Sequence, residues 1–340
     1  MTDLPPHAHG DALDLSTGAA APLRRRTLLS AGLGLAAAFA LRPARAGGTV
    51  RIGYQKYGSL VLLKGRGTLA KALAPLGYEV VWSEFPSGPP LLEALNAGAI
   101  DLGSAGEAPP IFAQAANPDL RYVGTEPPAP RGEAILVPKD SPIRSVADLK
   151  GKTIALNKGS NVHFLVVRAL ETAGVPYDAV KLVFLSPSDA NAAFVRGSVD
   201  AWAIWDPYLA AAERSTGARV LADGTGIAPN RQFYLSRRGF TDASPEVVAA
   251  ILRAIAEVDS WAAGNGAAVA AELAASVGIP APVLAVALDR LSYGVAPLDP
   301  QTIADQQAVA DAFHALGLLP KPLRVADAVW THPERKAEIR

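Results

Sequence analysis

The chain has no cysteine, only five histidines, and no net formal charge. Without cysteine there is no disulfide, no thiol nucleophile and no thiolate metal site, whatever the compartment. With 32 basic residues against 32 acidic, no basic field exists to hold a nucleic-acid backbone, so no nucleic-acid partner is expected. Only His163, His314 and His332 lie beyond residue 46, and they form no metal-type cluster such as His-x3-His. No metal and no cofactor are expected. No apolar run reaches the roughly 20 residues that span a bilayer as a helix. Gly151-Lys152-Thr153 is not the end of a phosphate-binding loop, because Val146 stands where that loop needs glycine. Gly103-Ser104-Ala105-Gly106 is not the Gly-x-Ser-x-Gly of a nucleophile elbow. A hydrolytic triad needs no sequence adjacency, but nothing in the residues points to one.

What is present is length and apolar content. The chain has 340 residues, half of them hydrophobic, enough for one large or two modest domains with an ample core. Residues 1–46 read as an export signal. A polar start leads to Arg24-Arg25-Arg26, then an apolar run from Leu28 to Leu41, then the small-x-small signal Ala44-Arg45-Ala46. The run's 14 residues are too few to span. Arg25-Arg26-Thr27-Leu28-Leu29 resembles a twin-arginine signal, with an ordinary secretory signal and an uncleaved anchor as alternatives. Cleavage is expected near Ala46, and removing the segment takes five basic and three acidic residues, which leaves a nearly neutral surface. An anion bound to such a protein is held by local geometry.

From Thr49 the pattern alternates between strands and helices. Thr49–Tyr54, Tyr78–Trp82, Ile100–Gly103 and Leu120–Gly124 read as strands, with helices at Leu60–Leu73, Pro89–Ala97 and Ile111–Ala116. The alternation resumes with strands at Ala134–Val137, Thr153–Leu156, Leu182–Leu185, Asp200–Trp205 and Arg219–Leu221. Arg231–Ser236 reads as a further strand, and from Ser244 onward the chain is helical. The fold class is α/β: two layered units with mainly parallel sheets and a helical C-terminus. The expected division is 47–134 with 235–340 as one lobe and 135–234 as the other, crossing near Ala134–Val137 and Phe233–Leu235. Ligands of such sheets bind beyond the strand carboxyl ends, often between domains. The loops to watch are therefore 55–59, 105–107, 158–163 and 205–206.

Gly159-Ser160-Asn161-Val162-His163 is central among them. A strand stops at Gly159 and a helix starts at Ser160 or Asn161. A helix start exposes N–H groups without internal partners and carries partial positive charge, which suits an anion. Ser160, Asn161 and His163 add side-chain donors, although an ordinary capped helix has the same residues. Gln55, Tyr57 and Ser59 offer polar groups at another loop-to-helix junction, or simply a solvated connection. Glu107 precedes two prolines, as a cleft acid or as an acid serving a helix dipole. Trp205 and Asp206 end an apolar strand, as an aromatic wall with a carboxylate or as core and helix cap.

Several runs together resemble a known family, the aliphatic-sulfonate-binding proteins of bacterial ABC importers, within the wider group that binds nitrate, sulfonates and taurine. These are Val50-Arg51-Ile52-Gly53-Tyr54-Gln55-Lys56-Tyr57-Gly58-Ser59, Gly106-Glu107-Ala108-Pro109-Pro110-Ile111-Phe112, Asn157-Lys158-Gly159-Ser160-Asn161-Val162-His163-Phe164, Val199 to Tyr208, and Ala222-Asp223-Gly224-Thr225-Gly226. The resemblance runs closely from Thr49 to Trp261. It implies a type II periplasmic-binding-protein fold, two lobes joined by two hinge strands, and no catalysis. It implies a sulfonate headgroup against Ser160–His163 and the Gln55–Ser59 loop, with Glu107, Trp205 and Asp206 lining the cleft. It implies a periplasmic, monomeric protein that closes on a small sulfonate and docks on the transmembrane subunits of an ABC permease for sulfur acquisition. Taurine, nitrate or an organic cation are the alternative ligands. An enzyme on the same fold, such as a pyrimidine-precursor synthase, is disfavoured by the export-type N-terminus and the absence of cysteine.

Overall fold

The computed structural model describes residues 47–331; the expected export signal and His332 lie outside them. Strands β1 (Thr49–Tyr54), β2 (Glu79–Glu84), β3 (Leu102–Gly106), β4 (Leu120–Thr125), β5 (Glu133–Val137), β6 (Thr153–Leu156), β7 (Lys181–Phe184), β8 (Ala201–Trp205), β9 (Arg219–Asp223) and β10 (Gln232–Arg237) form two sheets. One has the order β2-β1-β3-β10-β4 and the other β7-β6-β8-β5-β9. In both, the first three strands of the unit run parallel, and a strand delivered from the other side of the molecule inserts antiparallel at the fourth place. The two lobes share one topology.

Burial explains the strand order. The inserted β5 is buried along its whole length, while the edge strands β2 and β7 are partly exposed; the edge strand β4 is buried. A strand covered on both faces needs a continuous apolar run, and Ala134-Ile135-Leu136-Val137 is one. The crossings between lobes therefore lie at 126–132 and 224–231. They directly precede the strands Ala134–Val137 and Phe233–Leu235, near which crossings were expected, and those strands sit deep in the sheets. The crossing segments bond to each other: Ala129 N donates to Pro229 O at 3.0 Å and Gly224 N to Pro130 O at 2.9 Å. A Cβ at Gly224 would stand 2.7 Å from the carbonyls of both Ala228 and Pro130, so only glycine lets these backbones approach.

The helices are α1 (Ser59–Arg66), α2 (Thr68–Leu73), α3 (Gly88–Asn96), α4 (Ala108–Ala116), α5 (Asn161–Thr172), α6 (Pro187–Val195), α7 (Tyr208–Thr216), α8 (Arg238–Ala243), α9 (Pro245–Ala263), α10 (Gly266–Val277), α11 (Ala281–Leu288) and α12 (Pro300–Ala315). The helix expected at Leu60–Leu73 is two, because Gly67 adopts φ 63° and ends α1. The apolar face of α9 (Val248, Ile251, Ile255, Val258) packs on α1 and α2 of the first lobe. Helix α12 lies against α4, and Phe313 on it meets Phe112 of α4 and both His163 and Phe164 of α5 at ring distances of 4.9, 5.3 and 6.0 Å. One side of the inter-lobe boundary is thus closed by apolar rings.

Candidate functional site

The boundary between the lobes holds a cleft, and the end of β6 leads straight into it. Gly159, at φ 68°, turns the chain, and Ser160 in an extended conformation precedes α5. The N–H groups of Asn161 and Val162 head the helix, where no intrahelical acceptor exists. Ser160 and Asn161 both line the cleft. The Ser160 hydroxyl donates to Asn157 O at 2.6 Å, so what Ser160 offers an anion is its place beside the free N–H groups and not a hydroxyl hydrogen. Asn161 lies on Gly106 of the opposite lobe, where an added Cβ would fall 2.0 Å from the Asn161 amide. Asn161 Nδ2 also donates to Asn230 Oδ1 at 2.7 Å. Asn230 belongs to a crossing segment and has φ 48°, the positive-φ conformation that asparagine tolerates.

The facing wall comes from the loop after β1. Gln55 and Tyr57 line the cleft, Gln55 Nε2 donating to Ser104 O at 3.2 Å and the Tyr57 hydroxyl to Ala287 O at 2.7 Å. Trp205 and Asp206 line it from the end of β8. Trp205 is half-buried and meets Tyr208 edge-on at 6.5 Å, while Trp202 and Ile204 point into the second lobe's core. Asp206 is 1 % exposed; its Oδ1 accepts the Ala210 N–H at 3.0 Å, and its Oδ2 faces Arg290 Nη1 at 3.5 Å. Burial pushes the Asp206 carboxyl up to about 6 despite that guanidinium.

Three expected site residues turn away from the cleft lining. Ser59 is buried at the start of α1, where its hydroxyl donates between Glu126, at 3.2 Å, and Asp259. His163 lies behind the α5 start. Its Nδ1 accepts the Gly159 N–H at 3.2 Å, which leaves the ring proton on Nε2 to meet the Tyr177 hydroxyl at 2.7 Å. Burial and the nearby Lys158 charge pull His163 down to about 4, so the ring is neutral. Glu107 is 1 % exposed beneath the floor, its Oε2 accepting the Arg231 N–H at 3.1 Å. Burial drives it up to about 8 against those backbone donors.

Four lining residues have no motif that marks them: Glu126, Asn230, Gln232 and Arg290. Glu126 accepts from the Tyr234 hydroxyl and from Ser59, and burial together with Asp259 raises it to about 8. Arg290, just beyond α11, bonds Glu213 Oε2 at 2.6 Å as well as Asp206. It ties the first lobe's helices to the second lobe. Among the described residues no group of three or more His, Asp or Glu side chains is placed to hold a metal. The arrangement joins a helix start with free N–H groups, an aromatic wall and neutral amides, which is chemistry for holding an anion.

The NMT1/THI5-like family matches residues 85–266. A relative in Escherichia coli K12, named as an aliphatic sulfonates-binding protein, is 44 % identical over 89 % of this chain and 95 % of its own length. The taurine-binding periplasmic protein of the same strain is 29 % identical, over 54 % of this chain and 60 % of its own. Among solved structures, the alkanesulfonate-binding protein of Xanthomonas axonopodis pv. citri, bound to MOPS, is 45 % identical; the match covers 83 % of this chain and 98 % of that one, with a TM-score of 0.79.

Proposed function

The chain belongs to the NMT1/THI5-like family and, within it, to the aliphatic-sulfonate-binding proteins with the periplasmic-binding-protein fold, and from that premise we propose that it is the solute-binding component of an ABC importer. It captures an aliphatic sulfonate between its lobes, closes, and delivers the ligand to the transmembrane permease for sulfur acquisition. It acts in the periplasm as a monomer, after export and cleavage near Ala46, and catalyses no reaction.

The observation that carries this reading is the start of α5 at the cleft. A sulfonate is a permanent anion with three acceptor oxygens. The N–H groups of Asn161 and Val162 and the Asn161 amide hold such a charge without a full counter-charge. Gln55 and Gln232 add neutral polar groups, and Trp205 gives the alkyl part an apolar wall. Asn161 lies against Gly106 of the opposite lobe and bonds Asn230 of a crossing segment. A ligand touching both walls therefore shifts the population towards the closed form, turning about 126–132 and 224–231.

A second reading, an amine-bearing sulfonate such as taurine, is favoured by two acids on the cleft wall, Glu126 and Asp206. Calorimetry with ethanesulfonate, butanesulfonate, taurine, nitrate and sulfate separates the readings. The proposal expects saturable binding of the alkanesulfonates and none of nitrate. Binding of nitrate with no response to any sulfonate overturns it.

A further inference from the structure

Two buried acids below the cleft floor have almost nothing to bond. Glu133, the first residue of β5, is 0 % exposed, and neither carboxyl oxygen has a hydrogen-bond partner among the described residues. Glu107 is 1 % exposed, and its Oε1 is equally unpartnered. The residues just before them, Gly132 and Gly106, line the cleft, so both acids stand directly behind its wall. They come from different lobes: Glu107 follows β3, and Glu133 follows the first crossing segment. Glu133 feels the charge of Glu107 and, more weakly, that of Asp223 at the end of β9. Around Glu107 stand Arg231, which pairs with Asp305 at 3.4 Å, and Asp305 itself on α12. No cation bonds either carboxyl directly among the described residues. Two ionised carboxylates so placed repel each other in a medium that solvates neither.

We propose that Glu107 and Glu133 form a proton-holding carboxyl pair beneath the sulfonate cradle, so that capture of the anion is coupled to uptake of a proton; this rests on the sulfonate reading of the cleft. The proton resides on Glu133, which has no donor on either oxygen, while Glu107 keeps the backbone N–H groups of Asn230 and Arg231. The same Asn230 accepts from Asn161 at the α5 start, so the cradle and the pair share one crossing segment. Burial raises both carboxyls above the usual range, with the charge of Asp305 adding to it at Glu107 and that of Glu107 adding to it at Glu133. The sign follows from charge. A sulfonate stays anionic throughout, and an ionised pair below it is a like charge. Affinity is therefore highest where the pair keeps its proton and falls as rising pH removes it.

The test is calorimetry of ethanesulfonate with the wild type between pH 6 and pH 9, in buffers of different ionisation enthalpy at each pH. The expected result is net proton uptake on binding near pH 8 and a loss of affinity of about fivefold or more across the range. Glu133→Gln should abolish the uptake and flatten the profile, and Glu107→Gln gives the same readout should Glu133→Gln fold poorly. Glu126→Gln removes a raised acid of the cleft wall outside the pair and should keep the uptake. Binding without proton exchange in the wild type, or uptake that survives in Glu133→Gln and vanishes in Glu126→Gln, overturns the inference and leaves the sulfonate reading intact. No sulfonate binding at any pH contradicts the sulfonate reading itself.

Discussion

The two lobes have one topology but two different helix starts. In each, the strand in the second position of the sheet leads through a positive-φ glycine, Gly58 or Gly159, into a helix that opens near a serine. At α1 the serine turns inward, and Ser59 sits between the carboxyls of Glu126 and Asp259. At α5 the serine bonds back to Asn157, and Ser160 and Asn161 line the cleft. The third strands repeat the theme. Glu107 follows β3 and Asp206 follows β8, each before a helix and each buried. Topology places two equivalent helix starts; what stands in front of them decides which can take an anion. The α1 start already faces the protein's own acids, and the α5 start faces amides.

The largest effect should come from making α5 resemble α1. Asn161→Asp sets a carboxylate in the cradle, and like charges at a binding surface cost several kcal/mol. Calorimetry should show sulfonate affinity down by about 100-fold or more. Next comes the acid cluster at α1, read through pH. Glu126 is raised to about 8 from an ordinary value of 4.5. The folded state therefore holds a proton that the unfolded state has released, and the contribution of this group to stability is fully present below about pH 4.5 and is lost as pH rises through about 8. His163 has the opposite sign. Its folded value of about 4 lies below the ordinary 6.5, so stability is lost as pH falls from about 6.5 towards 4. Thermal melts of Glu126→Gln between pH 6.5 and pH 8.5 should show a flatter decline than the wild type, by about 2 kcal/mol; an unchanged slope contradicts the assignment.

A smaller change is expected from Asn161→Ala, which removes one hydrogen bond to a charged group and should weaken binding by about 1–3 kcal/mol. Ser160→Ala should fall at the low end of that range, since its hydroxyl hydrogen is already committed to Asn157. Smallest of all for the ligand is Ser59→Ala. It should lower the melting temperature and leave sulfonate affinity within about twofold, because its bonds run to Glu126 and Asp259 behind the cleft wall. A Ser59→Ala effect on affinity as large as that of Asn161→Ala would erase the distinction between the two helix starts.

Period and punctuation made most of the fold legible. Alternating strands and helices, buried Trp202 beside half-exposed Trp205, and the Gly159 turn into α5 all follow from local pattern. The orientation of single polar side chains did not. Nothing local distinguishes Ser59 from Ser160, because the acids that claim Ser59 lie 67 and 200 residues away. His163 falls on a helix face that packs inward, and only the position of Tyr177 and Phe313 decides this. Arg290 reaches the cleft from beyond α11, 77 residues from its partner Glu213. Glu133 stands just before the apolar run Ala134–Val137 that reads as a strand, and its isolation appears only once the fold buries it behind the cleft wall with Glu107.

The central claim is that the α5 start holds the anion, and a crystal structure of the protein with ethanesulfonate tests it most directly. The account predicts sulfonate oxygens within hydrogen-bond distance of the backbone nitrogens of Asn161 and Val162, about 2.7–3.2 Å. A sulfonate seated on Arg290, with those two N–H groups unliganded, would contradict it.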